Sequence, residues 1–271
     1  MSTTVADSQV LKGSEKTWGI WERLVPTLID DRDEAGKRMM EIHMRRYRTA
    51  QGYVAGKRVL DVASGTGYGS RMLKDAGAEL VTGIDLSADA VQFARVNYQC
   101  DGVEYLVGNA EEFTVDEPYD VVTSFETIEH LPHPTEFLAR VRESLKPGGT
   151  FLMSVPIGET RHIDGFHLHV FERSDIYRML AEAGFLVEAF RFDDWTVSFK
   201  EILTWPKIYP ESRVPIRELL FTWRGRRVLQ DLILRRSIQL PMLMLKTTRA
   251  DEMPCATMDE SALTSLDVRQ P

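Results

Sequence analysis

The chain has little cysteine: two residues in 271, Cys100 and Cys255, far apart in sequence. That excludes a disulfide framework and a cysteine-rich zinc site, and it suits a reducing compartment. No apolar run in the sequence reaches the ~18 residues that a membrane-spanning helix needs. The first stretch, Met1–Gln9, is polar and lacks the apolar centre of a signal peptide, so a cytoplasmic location is expected. Basic residues are in deficit, with 33 Lys and Arg against 41 Asp and Glu and a net charge of −8. Nucleic acid is therefore not the expected partner, because phosphate backbones call for basic patches.

Glycine is concentrated where it matters. An apolar strand pattern, Arg58 to Val62, runs into Ala63-Ser64-Gly65-Thr66-Gly67-Tyr68-Gly69, and a helical pattern follows from Ser70. A strand-to-helix turn of this kind lets a ligand lie on bare backbone, with the helix N–H groups aimed at it. The register separates two ligand classes. A dinucleotide fingerprint, Gly-x-Gly-x-x-Gly, would need its third glycine at position 70, which is Ser70. Here the third glycine comes early, at Gly69. The next strand pattern, Leu80 to Ile84, ends at Asp85, where a carboxylate can accept hydrogen bonds from ribose hydroxyls.

The set Asp61, Gly65, Gly67, Gly69 and Asp85 resembles the class I S-adenosylmethionine-dependent methyltransferases. Three later segments extend the likeness: Asn109-Ala110-Glu111, Tyr119 to Phe125, and Leu145-Lys146-Pro147-Gly148-Gly149 leading into Thr150 to Leu152. The resemblance covers residues 36–195 and stops there. It implies S-adenosylmethionine as cofactor and a binding set of Asp61, Ala63, Gly65, Gly67, Gly69, Asp85, Leu86, Asn109, Ala110, Glu111 and Phe125. In that family the acidic residue after the second strand holds the ribose, and the segment matched by Asn109 to Glu111 lies beside the adenine.

Strand and helix patterns alternate over the same span, so the expected fold is α/β, a doubly wound, mostly parallel sheet of the Rossmann-like kind. Ser87 and Ser174 are expected helix N-caps, and Gly184 a helix stop. An N-terminal helical arm is expected over 1–35, the core over 36–195, and a C-terminal helical extension over 196–249. The extension mixes aromatics with arginines, as a lid or a homodimer contact would. From Glu201 to Arg249 there are ten Lys or Arg against four Asp or Glu, whereas 250–271 has five acids and one Arg. That last stretch reads as a mobile acidic tail. The helix pattern before the first strand carries Glu41, His43, Arg46 and Tyr47. This arrangement resembles one found in related sugar and lipid methyltransferases, in which an aromatic or basic residue approaches the cofactor's carboxylate.

A second constellation follows the fourth strand pattern: Glu126-Thr127-Ile128-Glu129-His130. Helical spacing would set Glu126 and Glu129 on one face. Carboxylates suit Mg²⁺, and imidazole widens the choice to other divalent metals. The cluster resembles the metal-binding pattern of ubiquinone-pathway and small-RNA O-methyltransferases, which implies metal ligands Glu126, Glu129, His130 and His169. His130 and His167 are the candidate catalytic bases, since imidazole titrates near neutral pH. A hydroxyl is a poor nucleophile and needs such a base or a metal. The expected activity is O-methylation of a small or medium acceptor such as a sugar, glycan or glycolipid, with possible help from Mg²⁺ or another divalent metal. Competing readings are a phenolic or natural-product acceptor, RNA 2′-O-methylation, and a non-catalytic cofactor-binding protein.

Overall fold

The computed structural model describes residues 25, 26, 29, 34–157, 167–198 and 237–250. The element order is α1 (Glu34–Gln51), β1 (Arg58–Val62), α2 (Tyr68–Asp75), β2 (Leu80–Asp85), α3 (Ala88–Tyr98), β3 (Val103–Val107) and β4 (Tyr119–Phe125). A 3₁₀ turn (Ile128–His130) precedes α4 (Pro134–Ser144), β5 (Leu145–Pro156), α5 (Arg173–Glu182), β6 (Phe185–Ser198) and β7 (Ser237–Arg249).

The seven strands form one sheet in the order β3-β2-β1-β4-β5-β7-β6. β1 pairs in parallel with β2 and β4, β2 with β3, and β4 with β5. β7 is antiparallel to both β5 and β6. The sheet is therefore mostly parallel, and the expected α/β class holds.

Side-chain alternation along β1 shows how the sequence builds two layers. Leu60 and Val62 enter the core shared with Phe137, Leu138 and Val141 of α4 and Ile176 and Leu180 of α5. Val59 enters the opposite core, with Tyr47, Ala50, Leu73, Val91 and Ala94 of α1, α2 and α3. Fully burying an aliphatic or aromatic side chain of this size contributes about 1.5–3 kcal/mol. Asp61 shares the parity of Val59. It faces the α1/α2 layer and is 1% exposed.

Helix ends follow local chemistry. Ser87 caps α3, its side chain accepting from the Ala90 N–H at 3.3 Å. Gly184 stops α5 with φ 78°, a left-handed conformation suited to glycine. The cap of α5 corrects the expectation of Ser174. Glu172 is the N-cap and forms a reciprocal capping box with Asp175.

The sheet also corrects the C-terminal boundary. Residues 237–249, expected in a helical extension, form β7. The run Leu240-Pro241-Met242-Leu243-Met244-Leu245 reads ambiguously, since Leu and Met favour helices and Pro argues against a strand. Burial of Leu243, Met244 and Leu245 between β5 and β6 decides it. The arm over 1–24, the segment 199–236 and the acidic tail 251–271 lie outside the described residues.

Candidate active site

The glycine turn, Asp85, Asn109 to Glu111 and Glu126 to His130 follow the carboxyl ends of parallel strands, where α/β sheets bind ligands, whereas Leu145 to Gly149 lies at the amino end of β5. β1 ends at Val62, and the chain then turns through Ala63 (φ 60°), Gly65 (φ 57°) and Gly67 (φ 87°) into α2. The three glycines have different reasons to be glycine. A Cβ on Gly65 would meet nothing within 4 Å, so this is where a ligand can approach the backbone. A Cβ on Gly67 would lie 2.5 Å from the Ala94 Cβ and 2.9 Å from the Tyr105 ring, whose hydroxyl donates to the Gly67 carbonyl at 2.8 Å. A Cβ on Gly69 would lie inside the Tyr47 ring of α1.

Asp61 sits beneath this loop. Its carboxylate accepts from Ser70 Oγ (2.6 Å), Thr123 Oγ1 (2.7 Å) and the Tyr47 hydroxyl (3.2 Å). Burial pushes its pKa up to about 6, and these three donors hold it from rising further. Asp61 thus fastens α1, α2 and β4 to β1. Its place under the loop gives it an organising role there.

Asp85 ends β2 as expected. Its Oδ2 accepts from the Gly65 N–H (2.8 Å) and its Oδ1 from the Ser87 N–H (2.9 Å). A carboxylate offers about four lone-pair sites and can accept from several donors at once, hydroxyls included. Leu86 beside it is 67% exposed, an apolar surface at the open rim. Asn109 Oδ1 accepts from the Glu111 N–H at 3.0 Å, and Ala110 is buried. Glu111 accepts from the His133 N–H and so ties this segment to the start of α4. Phe125, at the end of β4, meets the Tyr47 ring edge-on at 5.0 Å.

The second constellation is arranged differently from its expected helical spacing. Glu126 has φ 52° and Thr127 φ −130°, so the chain breaks direction before the 3₁₀ turn. Glu126 and Glu129 therefore do not share a helix face. Glu126 lies 3.4 Å from Arg46 Nη1 and accepts from Ser154 Oγ at 2.7 Å. Glu129 is fully buried and lies 3.9 Å from His130 Nε2. His130 and His167 pack edge to face at 4.8 Å.

Glu129, His130 and His167 each place one donor atom within 4.8 Å of the others. Two imidazoles and one carboxylate suit a borderline divalent ion. The expected four-residue metal set is not what the fold assembles. His169 Nε2 pairs with the Leu131 carbonyl at 2.8 Å and its ring stacks on Phe171. His167 takes the place among the donors that the sequence pattern gave to His169. The backbone explains the swap, because the Leu168 and His169 N–H groups both donate to the Glu129 carbonyl and pin this segment across the 3₁₀ turn.

Arg46 is the residue whose importance spacing alone understates. It is 1% exposed, deep beside the end of β4. An arginine one position before an inward-facing tyrosine was the available signal. Burial and the Arg46 charge hold the His43 imidazole well below its usual pKa, so it is neutral at pH 7.

A parallel sheet with β7 inserted antiparallel, a glycine turn after β1 and an acid ending β2 define a class I methyltransferase fold. Residues 60–153 match the methyltransferase domain family. A probable S-adenosylmethionine-dependent methyltransferase of Mycolicibacterium smegmatis is 33% identical over 141 residues, covering 49% of this chain and 54% of that protein. A ubiquinone biosynthesis O-methyltransferase of Aromatoleum aromaticum is 41% identical over 105 residues, covering 37% and 44%. The chain spans about half the length of the curated relatives it matches. Among solved structures, YcgJ of Bacillus subtilis superposes with a TM-score of 0.65 at 16% identity, over 78% of this chain and all of that one. A putative methyltransferase of Bacillus halodurans gives 0.61 at 22% identity, over 76% and 98%. The chain thus has the fold of the class I methyltransferases, and residues 60–153 are similar to their methyltransferase domain.

Proposed function

We propose that the protein is an S-adenosylmethionine-dependent O-methyltransferase acting on a hydroxyl of a small or medium acceptor. The observation that carries this reading is the Glu129–His130–His167 cluster, just beyond Phe125 at the pocket end of β4. Methyl transfer is an in-line displacement on an already activated carbon, so the protein's task is to align the acceptor and manage one proton. A neutral imidazole can take that proton from a hydroxyl, and a buried carboxylate beside it stabilises the imidazolium that forms. His167 and His130 are the candidate bases and Glu129 their counter-ion. The name of the Aromatoleum aromaticum relative supports transfer to oxygen.

Asp85 is placed to hold the donor's ribose, Gly65 to let it approach the backbone, and Leu86 to face the adenine. Arg46 is the group for its carboxylate. A buried guanidinium needs acceptors, and a carboxylate offers the matching geometry. Glu129, His130 and His167 would also hold a divalent ion, which when bound would lower the pKa of the acceptor hydroxyl as a Lewis acid.

The acceptor class we favour is a sugar, glycan or glycolipid, on the resemblance of the Glu41–Tyr47 pattern and of Phe166-His167 to saccharide and lipid enzymes. The ubiquinone-pathway relatives keep a phenolic acceptor as the second reading. The test is incubation with isotopically labelled cofactor and panels of glycans, glycolipids and phenols, with and without chelator. Label on oxygen is expected. Label on nitrogen or carbon overturns the reading, and turnover indifferent to exhaustive chelation removes the metal from it.

A further inference from the structure

Glu126 and Arg46 make a buried pair of opposite charges that the methyl-transfer chemistry does not itself use. Arg46 is 1% exposed, and the Glu126 side chain is 16% exposed. The Arg46 Nη1 contact at 3.4 Å is an ion pair without hydrogen-bond geometry. A buried charge pair stabilises a protein poorly unless further hydrogen bonds complete it. The groups that would complete this one are therefore to be sought in a ligand.

The fold fixes Glu126 with care. Its backbone occupies the left-handed region, φ 52°, which non-glycine residues rarely adopt and which clusters at functional sites. Ser154 holds it at both ends. The Glu126 N–H donates to the Ser154 carbonyl at 3.1 Å, and Ser154 Oγ donates to Glu126 Oε1 at 2.7 Å. Oε1 is thus engaged by Ser154 and Arg46. Oε2 makes no hydrogen bond among the described residues.

Position gives the ligand. β2, β1 and β4 are neighbours in the sheet. Asp85 ends β2 and Glu126 follows β4, so the two strand ends that carry these carboxylates stand about 10 Å apart by strand spacing, on either side of the glycine turn. A nucleoside with its ribose on Asp85 and its 5′ substituent over the open backbone of Gly65 would reach toward this pair. The donor's substituent ends in an α-amino acid, one ammonium and one carboxylate. Arg46 and Glu126 present the opposite charges side by side.

We infer that Glu126 accepts the donor's α-ammonium while Arg46 binds its carboxylate, and that Glu126 is not a metal ligand in this protein. The inference rests on the donor assigned above and deepens it. The complex is neutral charge for charge, so neither buried group is left uncompensated. A divalent cation on Glu126 would instead share that carboxylate with the Arg46 guanidinium, whose Nη1 lies 3.4 Å from Oε1, and would meet its positive charge. The donor atoms of Glu129, His130 and His167 form their own group without it.

The experiment is calorimetric titration of three ligands in chelator-treated buffer. They are S-adenosylhomocysteine, its analogue lacking the amino group, and 5′-methylthioadenosine, which lacks the whole amino-acid end. Glu126→Gln is expected to weaken S-adenosylhomocysteine about tenfold or more, the scale of a lost hydrogen bond between charges. It should leave 5′-methylthioadenosine within about twofold and leave the deaminated analogue unchanged or tighter, the spread allowed for neutral surface changes. Retained 5′-methylthioadenosine binding shows that the variant is folded. Ser154→Ala, which releases the same carboxylate, should reproduce the order with a smaller loss. Equal weakening of all three ligands, or no change for any, overturns the assignment. Repeating the titrations with added Mg²⁺ should give the same loss, and an effect of Glu126→Gln seen only with added metal assigns Glu126 to a metal and overturns the inference too. If wild-type protein binds none of the three, the donor assignment itself fails, a result separate from any effect of Glu126→Gln.

Discussion

The ring of Tyr47 occupies the space that a side chain on Gly69 would need, with its Cζ 1.9 Å from the position of an added Cβ. The third glycine of the turn is thus a docking surface for α1. Only the first, Gly65, opens toward a ligand. Gly69→Ala should cost on the order of 1–3 kcal/mol through overpacking against a ring already held in the core. Gly65→Ala should cost about 1–2 kcal/mol from its left-handed backbone alone. Its larger effect should be on S-adenosylhomocysteine affinity. Urea denaturation and calorimetry on both variants check the contrast. A Gly69→Ala protein as stable as wild type would remove Tyr47 from this explanation.

Asp61 makes stability depend on pH in a definite direction. Its ordinary pKa is 3.8 and its folded value is raised to about 6. Below about pH 4 both folded and unfolded chains hold the proton, and the group costs nothing. Between about pH 4 and 6 the unfolded chain ionises first, so stability falls as pH rises. The loss is about 3 kcal/mol by pH 7, from two pKa units at ~1.4 kcal/mol each. Asp61→Asn cannot titrate. The stability of wild type relative to Asp61→Asn should therefore decline between pH 4 and 7. A difference that stays constant or grows with pH contradicts the raised value.

His130→Ala and His167→Ala should each lower kcat by about 10²–10⁴-fold, the range for loss of a general base. S-adenosylhomocysteine affinity should hardly change, because the cluster lies past the end of β4 and not on the glycine turn. His169→Ala should behave differently. Its ring is engaged with the Leu131 carbonyl and Phe171, so a stability loss with near-normal kcat is expected. Steady-state kinetics with thermal melts separates the two patterns. A His169→Ala variant as dead as His167→Ala would restore the ligand set that the sequence pattern implied.

Asp85→Asn should loosen the turn and the donor together. The variant loses the charge that draws in the Gly65 and Ser87 N–H groups at 2.8 and 2.9 Å. Weakening of S-adenosylhomocysteine by about tenfold or more is expected, with charge-assisted hydrogen bonds each contributing about 1.5–3 kcal/mol. Affinity equal to wild type would argue that the ribose lies elsewhere.

Replacing Glu172 by Ala should cost about 1 kcal/mol, as N-cap losses do, whereas Ser174→Ala should cost a few tenths at most. Thermal denaturation of the pair distinguishes the real cap from the one that sequence pattern suggests.

These contrasts show where sequence was sufficient. Alternation at Val59 to Val62, the caps at Ser87 and Gly184, and the acid at Asp85 are local features, and each is where its pattern puts it. Gly69 was legible as a glycine of the turn but not as the seat of Tyr47, because that contact joins two helices across β1. The direction of Glu126 depends on a left-handed residue and on Ser154, twenty-eight positions away. No helical spacing rule contains either. β7 escaped because its strand character comes from being enclosed by β5 and β6, while its residues taken singly favour helix.

The ribbon of β6 and β7 outruns the rest of the sheet. β5 ends its pairing with β7 at Pro156 opposite Met242, yet β6 and β7 stay paired for five further positions, out to Ser198 opposite Ser237. At ~3.3 Å per residue the overhang reaches about 16 Å past the strand ends that hold the turn. Ser198 and Ser237 are therefore adjoining backbone positions, joined in sequence through residues 199–236. Exchanging residues 199–236 for a segment of different length should leave the register of β6 and β7 as it is. The junction at Ser198 and Ser237 is thus a natural graft point for chimaeras built on an unaltered sheet.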